Sequence, residues 1–188
     1  AGHGVAMAAA RLDALIRLQG EIDARPEGAF PQADLALDGA VEADLAEGLD
    51  AGGAEDRFAA ALREGRNRDA AAGRTLTRGP HRTELVARHR EKDQPAGDCS
   101  TGEQKALILT LALAQARALA KQGGAAPLLL FDEACAHLDA ARREGLALEI
   151  LATGSQAWLT GVERVLFDPF GDRVQYFEID AARATARP

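Results

Sequence analysis

The sequence predicts an α/β fold in which a mostly helical first part precedes a unit of parallel strands and crossing helices. Residues 3–24 carry apolar side chains at helical spacing, which is typical of an amphipathic helix. Residues 127–131, with the sequence PLLLF, form the short continuous apolar run of a strand that is covered on both faces. A helix predicted over 140–152 leads to a second strand at 155–160, and such a strand, helix and strand make a right-handed parallel unit.

The remaining elements are predicted from apolar periodicity and from the glycine and proline residues that interrupt it. The first part adds a strand at 34–38 and helices at 40–50 and 54–71, with Gly52 and Gly53 between the two helices. In the second part we expect one long buried helix and several shorter segments, namely two strands within 74–90, a loop at 92–98, the helix at 103–121, a strand at 174–179 and a frayed tail at 181–188. This pattern divides the chain into a helical lobe, residues 1–72, and an α/β part, residues 73–188.

The composition excludes several classes of protein. With 188 residues and 47% hydrophobic content, the chain can form one or two packed domains. No apolar stretch approaches the roughly 20 residues of a membrane-spanning helix, and no basic segment followed by an apolar one marks a secretory signal. Two cysteines and four scattered histidines form neither a disulfide framework nor a zinc-ligand pair, so we expect a cytoplasmic protein. The chain begins with Ala1 rather than methionine, and we expect that it was cut from a longer one.

Positive charge is concentrated in the middle of an acidic chain. The net charge is −7, but residues 57–92 carry ten basic side chains against four acidic ones, an excess of +6. Clustered arginine favours contact with phosphate. The alternative is a solvated face that balances residues 1–56, where three arginines stand against twelve acids. We call residues 57–92 the basic belt; it includes Arg63, Arg66, Arg68, Arg74, Arg78, Arg82, Arg88 and Arg90.

The segment STGEQK, residues 100–105, has the pattern of a helix start. Ser100 and Glu103 stand three residues apart before an apolar helix, which predicts a capping box in which each side chain bonds the backbone amide of the other. Gly102 leaves the first turn without a side chain, and bare amides beside a hydroxyl at a helix N-terminus can bind an anion. Capping alone is the alternative, but a glycine inside the first turn is unfavourable for a pure cap and favours phosphate binding.

Two adjacent carboxylates, Asp132 and Glu133, follow the apolar strand without a spacer. Ligands of parallel sheets bind beyond the carboxyl ends of the strands, and an acid delivered there is typical of enzymes that hold a metal-bound nucleotide. The first carboxylate would hold Mg²⁺, and the second would activate the attacking water. The alternative is a strand that simply ends in exposed acids. Asp139, in the segment AHLD, is either the N-cap of the next helix or a carboxylate at the edge of the site.

The order and spacing of these segments carry a resemblance to a known family. A glycine-containing cap, a long helix, a short apolar strand, an acid pair and an aspartate-capped helix resemble the C-terminal half of an ABC-type ATPase head. The series GPHR at 79–82, STGEQK at 100–105, LLLFDEACAHLD at 128–139 and WLTG at 158–161 resembles the RecF family, bacterial recombination mediators related to the Rad50 and SMC ATPases. The resemblance covers roughly residues 60–180.

One departure qualifies the resemblance, and one further feature sharpens it. The Walker A phosphate loop, G-x-x-x-x-G-K-[ST], is absent from the sequence, so the resemblance implies the C-terminal portion of a RecF-like protein. Thr160 and Gly161 stand at the post-strand switch position, where transporter ATPases usually carry a histidine, and this favours RecF over a transporter subunit.

The resemblance also implies a division of roles around an ATP molecule sandwiched between two heads. Asp132 would hold Mg²⁺ through water, Glu133 would be the catalytic base, and Asp139 would belong to the D-loop. The signature residues would contact, in trans, the γ-phosphate bound by the other head, namely Ser100, Thr101, Gly102 and Gln104.

It further implies a protein of DNA repair, replication and recombination and of the SOS response. Such a protein would form an ATP-dependent homodimer, hydrolyse ATP weakly and act with RecO and RecR to direct RecA onto gapped DNA. Arg78, His81 and Arg82 are candidate DNA contacts, whereas Gly79 and Pro80 suit a tight turn. We expect this chain alone to be inactive as an enzyme because Walker A is absent.

Two alternatives stay open. Another SMC-like or Rad50-like head is disfavoured because no long heptad flanks are present. The other alternative is a non-enzymatic interaction module that lost the phosphate loop, and a Walker A lysine encoded upstream of Ala1 would exclude it.

Overall fold

The computed structural model describes residues 1–25, 28, 30–77, 79–123, 126–136 and 138–187 of the chain. Its α-helices are α1 (Gly2–Asp23), α2 (Ala40–Ala46), α3 (Ala51–Ala72), α4 (Thr101–Lys121) and α5 (Ala140–Thr153). Its strands are β1 (Ala33–Asp38), β2 (Glu84–His89), β3 (Gln94–Pro95), β4 (Leu129–Phe131), β5 (Ala157–Leu159), β6 (Tyr176–Asp180) and β7 (Arg183–Arg187). Three further segments are 3-10 helical, namely Pro80–Arg82, Ala96–Asp98 and Arg164–Arg173. The fold is α/β, as the sequence predicts, because the parallel pair β4 and β5 is joined through α5.

The parallel unit packs one face of its strands against α4 and α5. Phe131 of β4 is buried there in one core with Leu113 of α4 and Leu146 of α5. Residues alternate between the two faces of a strand, so Leu130 and its opposite neighbour Trp158 lie on the other face. These two side chains are 72% and 49% exposed. The prediction of a strand covered on both faces is therefore wrong for the described residues, which cover only one.

Helix α1 contacts both parts of the chain. It packs with α2 and α3 through Val5, Val41 and Phe58. Its C-terminal end packs with β1 and α4 around Ile22 and Leu107. β1 pairs antiparallel with β2, and β2 pairs with β3. The domain boundary between residues 72 and 73 stays a prediction. The sheet of β1, β2 and β3 takes strands from both sides of that boundary.

The segment 74–90 holds one strand where the sequence predicts two. Residues 74–77 form no strand because the Asp69 carboxylate accepts the backbone amides of Leu76 and Thr77, at 2.9 and 3.2 Å. Those amides are the donors that a strand partner would need. Only β2 forms, and it pairs with β1 and β3 rather than with another strand of its own segment. The predicted loop at 92–98 contains the short strand β3.

The two glycines predicted to separate helices lie inside α3. Asp50 caps this helix, and its carboxylate accepts the amide of Gly53 at 2.7 Å. The chain turns earlier, at Gly48, whose φ of 93° is readily adopted only by glycine.

The C-terminal tail forms a strand and is not frayed. β7 pairs antiparallel with β6 along its length, from Arg183 opposite Asp180 to Arg187 opposite Tyr176. The predicted strand at 174–179 therefore forms as β6, in a hairpin that is separate from the other sheets. Its partner β7 was not predicted, because strand formation depends on contacts with the neighbouring strand as well as on propensity. None of the described helices combines the length and the apolar character needed to cross a membrane.

Candidate functional site

Asp132 and Glu133 lie directly beyond the carboxyl end of β4. The Thr160 hydroxyl, which follows β5, donates to Oδ1 of Asp132 at 2.6 Å and accepts the amide of Glu133 at 2.9 Å. Asp132 is exposed and Glu133 is half-buried. The acid pair therefore occupies the end of the parallel strands where ligands of such sheets bind, and the Asp132 side chain faces solvent.

The backbone of Glu133 is held in an unusual conformation. Its φ of 50° lies in the left-handed region, which residues with a side chain seldom adopt and which clusters at functional sites. Lys105 of α4 holds this turn, because its Nζ donates to the carbonyl oxygens of Glu133 and Ala136, the latter at 3.0 Å. Cys135 within the turn is buried, and burial raises the pKa of its thiol. The acidic turn is thus bonded directly to α4.

The start of α4 is the capping box that the sequence predicts. Ser100 Oγ accepts the amide of Glu103 at 3.4 Å, and the Glu103 carboxylate accepts the amide of Ser100 at 3.0 Å. The Ser100 hydroxyl also donates to this carboxylate at 2.9 Å. Lys92 forms an ion pair with Glu103 and, together with the bonds from Ser100, lowers the pKa of Glu103 to about 2. The carboxylate is therefore ionised at neutral pH, and Lys92 balances its charge.

Gly102 lies in the first turn of α4 with room for a side chain. A Cβ atom at this position would meet only Arg142 Nη1, at 3.7 Å, which is an ordinary van der Waals distance. The packing of the described residues therefore does not require glycine here. Ser100 and Thr101 are exposed, so this end of the helix is open to solvent, while the Ser100 hydroxyl is bonded to Glu103.

Two other predicted site residues are engaged within their own chain. The Gln104 side chain donates to the carbonyl oxygens of Gly97 and Cys99, at 3.0 and 3.1 Å, and so supports the turn before α4. Asp139 caps α5, since its carboxylate accepts the amide of Arg142 at 2.8 Å. His137, which belongs to the segment AHLD, lies outside the described residues.

Thr160 and Gly161, the pair that follows β5, have different roles: Thr160 makes polar contacts, and Gly161 allows close packing. Thr160 bonds both members of the acid pair. A Cβ atom on Gly161 would meet the Phe167 ring at 2.8 Å, so close packing requires glycine there.

The basic belt contains both paired and exposed arginines. Arg57, Arg88 and Arg90 form ion pairs with aspartates of their own chain, as the solvated-face interpretation expects. Arg82 is exposed in the 3-10 segment, and no ion pair links it to another described residue. The net charge of the belt therefore overstates the positive charge available to a ligand.

Within GPHR the first two residues support the fold. A Cβ atom on Gly79 would meet the Phe58 ring at 2.8 Å, and Pro80 is buried with its carbonyl oxygen accepting a bond from Arg11. His81 and Arg82 are exposed and free to contact a partner. Arg78, the third candidate for DNA contact, lies outside the described residues.

The donor set beside β4 fits Mg²⁺ as a partial site. The part of the chain that the structure describes contains no cluster of three or more histidine, cysteine, aspartate or glutamate side chains placed to hold a metal. Mg²⁺ is commonly held by one or two carboxylates, with waters and substrate phosphates completing its shell. The exposed Asp132 beside the Thr160 hydroxyl fits an ion that arrives with a nucleotide.

Sequence reasoning missed Lys92 and Lys105. Lys105 stands within STGEQK and was visible as the last letter of the motif, but only the fold shows that it reaches Glu133. Lys92 has no sequence signal, because a loop separates it from Glu103.

The parallel strands, the acid pair at the end of β4 and the capped start of α4 define a class, the ABC-type P-loop ATPase fold. No protein-family model matches the chain. A solved structure of the recombination mediator protein RecF-ATPrS in the RecFOR pathway matches with a TM-score of 0.73 and 18% identity, over 98% of this chain and 47% of that one. This match shows the fold.

Curated relatives show the family. The DNA replication and repair protein RecF of Rhizobium meliloti strain 1021 is 47% identical over 186 residues, which are 98% of this chain and 49% of that protein. RecF of Brucella abortus strain 2308 is 48% identical and RecF of Caulobacter sp. strain K31 is 50% identical, each over 97% of this chain and 47% of the relative. The chain belongs to the RecF family, and it spans about half the length of the curated relatives it matches.

Proposed function

We propose that this chain is the C-terminal portion of a RecF-like recombination mediator, in which ATP joins two heads and slow hydrolysis releases them. The remaining half would supply the phosphate loop, since this sequence contains no Walker A motif. The observation that carries the proposal is that one chain holds two solvent-facing half-sites. One is the acid pair after β4, and the other is the open N-terminus of α4.

The acid pair serves the nucleotide bound by its own head. Asp132 would hold the Mg²⁺ of the nucleotide, and Glu133 takes the proton of the attacking water. Bound Mg²⁺ supplies the positive charge that neutralises the phosphates. Thr160 orients Asp132, and Lys105 holds the backbone of Glu133 through its carbonyl oxygen.

The start of α4 serves the nucleotide bound by the other head. Ser100, Thr101 and Gly102 present a hydroxyl, amides and a position without a side chain to the γ-phosphate. Gln104 supports the turn before them, and Asp139 lies in the D-loop next to the site. Because one triphosphate bridges two heads, loss of its γ-phosphate removes the bridge. ATP then acts as a switch for a homodimer.

The proposed partners are gapped DNA, RecO and RecR, and the outcome is the loading of RecA in the cytoplasm. The solved RecF relative belongs to the RecFOR pathway, which supports this assignment. His81 and Arg82 are exposed, as a contact with DNA phosphates requires, and Arg78 is the third candidate. Such a contact is independent of base sequence and weakens as salt rises.

Two alternatives are weighed against this proposal. Identities of 47 to 50% with RecF proteins favour RecF over another SMC-like or Rad50-like head. A non-enzymatic interaction module that lost the phosphate loop is the second candidate, and it expects a complete protein that neither binds nor hydrolyses ATP.

The decisive experiment joins this chain to the remaining half of the Rhizobium meliloti relative and compares two variants of the complete protein. Glu133→Gln should still bind ATP and dimerise, but its phosphate release should fall at least about hundredfold because the general base is lost. Ser100→Arg should abolish the ATP-dependent dimer, while the monomer still binds nucleotide. Unchanged hydrolysis in Glu133→Gln would contradict the role of the acid pair, and a complete protein that neither binds nor hydrolyses ATP would favour the non-enzymatic module.

A further inference from the structure

A buried carboxylate holds the residue that directly follows the GPHR segment. Glu42 of α2 is only 1% exposed, and each of its carboxylate oxygens accepts the Thr83 hydroxyl at 2.9 Å. Among the described residues, its ion-pair partner is Arg11 of α1, at 3.4 Å. A buried ion pair is weak evidence of a stabilising role, because the loss of hydration offsets the attraction between the charges. The position of the carboxylate points instead to a geometric role.

The other contacts of the GPHR segment come from α1 and α3. Arg11 also donates to the carbonyl oxygen of Pro80. Gly79 packs on the Phe58 ring, where a Cβ atom would come within 2.8 Å. Inside the segment, the amide of Arg82 donates to the Gly79 carbonyl oxygen at 2.9 Å. The segment is therefore fixed at its start and in its middle by the helical lobe, and the buried carboxylate fixes its end.

Gly39, which precedes α2, makes room for the bond between Glu42 and Thr83. A Cβ atom there would lie 2.1 Å from Glu42 Oε2 and 2.6 Å from Thr83 Oγ1, so a side chain would displace the pair. The φ of Gly39 is −151°, which is extended backbone that any residue adopts. Its conformation therefore does not require glycine, whereas the close approach of the bonded pair does.

We propose that Glu42 is a positioning residue for DNA phosphates, because it fixes the direction in which His81 and Arg82 are presented. Those two side chains are exposed, whereas the carboxylate is buried, so Glu42 acts through the turn and not by touching DNA. A charge-assisted hydrogen bond to phosphate depends on distance and angle, so a turn that shifts loses the contact. This inference rests on the proposed DNA contact and adds the residue that sets its geometry.

Two substitutions at position 42 separate geometry from charge. Glu42→Met and Glu42→Gln remove the same negative charge and keep a similar volume. Glutamine retains an oxygen that can accept the Thr83 hydroxyl, whereas methionine offers no comparable acceptor. Charge alone predicts that both variants bind DNA equally, and slightly more tightly than the unchanged protein. Positioning predicts that Glu42→Met binds more weakly and that Glu42→Gln keeps most of the affinity.

The experiment uses the complete protein formed with the remaining half of the Rhizobium meliloti relative. Fluorescence anisotropy with a labelled gapped duplex, in the presence of ATP, gives the affinity at several salt concentrations. Glu42→Met should weaken binding about tenfold and lower the slope of log affinity against log salt by about 1, as the loss of one phosphate contact would. The salt slope counts phosphate contacts, and a general loss of stability would not change it.

The other end of the bond provides a second pair of variants. Thr83→Val removes the hydroxyl at nearly constant volume and should reproduce the effect of Glu42→Met. Thr83→Ser keeps the hydroxyl and should bind as the unchanged protein does. Circular dichroism should show that all four variants keep the helical content of the unchanged protein. If Glu42→Met failed to fold, the threonine pair would still decide the matter.

A background without the two exposed side chains of the turn completes the test. In the double variant His81→Ala with Arg82→Ala, adding Glu42→Met should cause no further loss of affinity, because nothing is left to position. A further loss there, or equal binding by Glu42→Met and Glu42→Gln, would overturn the inference.

The double variant also distinguishes the two proposals. If it binds DNA as the unchanged protein does, the proposed DNA contact is refuted and the role of Glu42 falls with it. If it weakens binding while Glu42→Met and Thr83→Val do not, the DNA contact stands and only the positioning role is refuted.

Discussion

Replacing Gly102 by alanine separates what α4 needs for folding from what a bound phosphate needs. Alanine is favoured over glycine in a helix by about 0.5–1 kcal/mol, and the first-turn position puts the gain at the lower end. The new Cβ atom would meet only Arg142 Nη1, at 3.7 Å, so no steric penalty offsets the gain. We therefore expect Gly102→Ala to raise the unfolding free energy of this chain by about 0.5 kcal/mol.

The assay is urea unfolding followed by far-ultraviolet circular dichroism, with Gly65→Ala as the matched control. Gly65 lies inside α3 and would gain the same helical preference, but its Cβ atom would meet Thr77 Oγ1 at 2.0 Å. The control should therefore lose about 1–3 kcal/mol through overpacking. A loss of stability in Gly102→Ala would mean that the glycine serves the fold.

The same Gly102 variant, made in a complete protein with the phosphate-loop half, should weaken ATP-dependent dimerisation although its folding is improved. The added methyl group would occupy the space that the γ-phosphate of the other head is proposed to approach. Light scattering across an ATP titration would measure the effect. If the variant dimerised at the same ATP concentration as the unchanged protein, the proposed phosphate contact at this position would be refuted.

Three further predictions concern the bonds from Thr160 to the acid pair, the capping box and the basic belt. Thr160→Val removes the hydroxyl that bonds both acids and should lower the unfolding free energy, measured in urea, by about 1–2 kcal/mol. Thr160→Ser should recover this loss. A change within about 0.5 kcal/mol, as at neutral surface sites, would mean that these bonds do not stabilise the acid pair. The folded pKa of Glu103, about 2, lies below its ordinary 4.5, so Glu103→Gln should be destabilising above pH 4.5, and the difference should vanish as the pH falls toward 2. Urea unfolding across this pH range would measure the difference in unfolding free energy between the unchanged chain and Glu103→Gln. If that difference stayed constant with pH, the ionised carboxylate would be excluded as its cause. Replacing Arg78 and Arg82 by alanine should reduce DNA affinity and lower the slope of log affinity against log salt by about 2, whereas replacing the ion-paired Arg88 should matter little. No change in affinity or in the salt slope after the Arg78 and Arg82 replacement would make the belt a solvated surface.

Sequence reasoning was most successful where the signal lies within a few residues. The capping box of α4 joins Ser100 to Glu103, three residues away, and the structure confirms it. The apolar run before Asp132 predicted β4, and the helix after it predicted the parallel partner β5. Asp139 was expected to cap α5 and does so. In each case the backbone geometry of one turn or one strand dictates the residue types.

Contacts between distant residues were not predictable from periodicity. Thr160 meets Asp132 from 28 positions away, and Lys105 reaches Glu133 over the same separation. β1, the longer of the two partners of β2, lies in the first part of the chain, and the tail forms β7 through its pairing with β6. Apolar spacing records which face of an element is buried, but it does not record which element covers that face.

The sequence by itself determined the α/β class, the capped start of α4, the acid pair after β4 and the resemblance to RecF, since each depends on short-range order along the chain. The tertiary structure alone decided that Thr160 and Lys105 hold the acid pair, that Lys92 balances Glu103 and that some arginines of the basic belt are already paired. It also decided that Leu130 and Trp158 stay exposed on one face of the β4–β5 pair. The physical reason is that hydrogen bonds, ion pairs and buried surface are made between elements, and their partners are set only when the elements pack together.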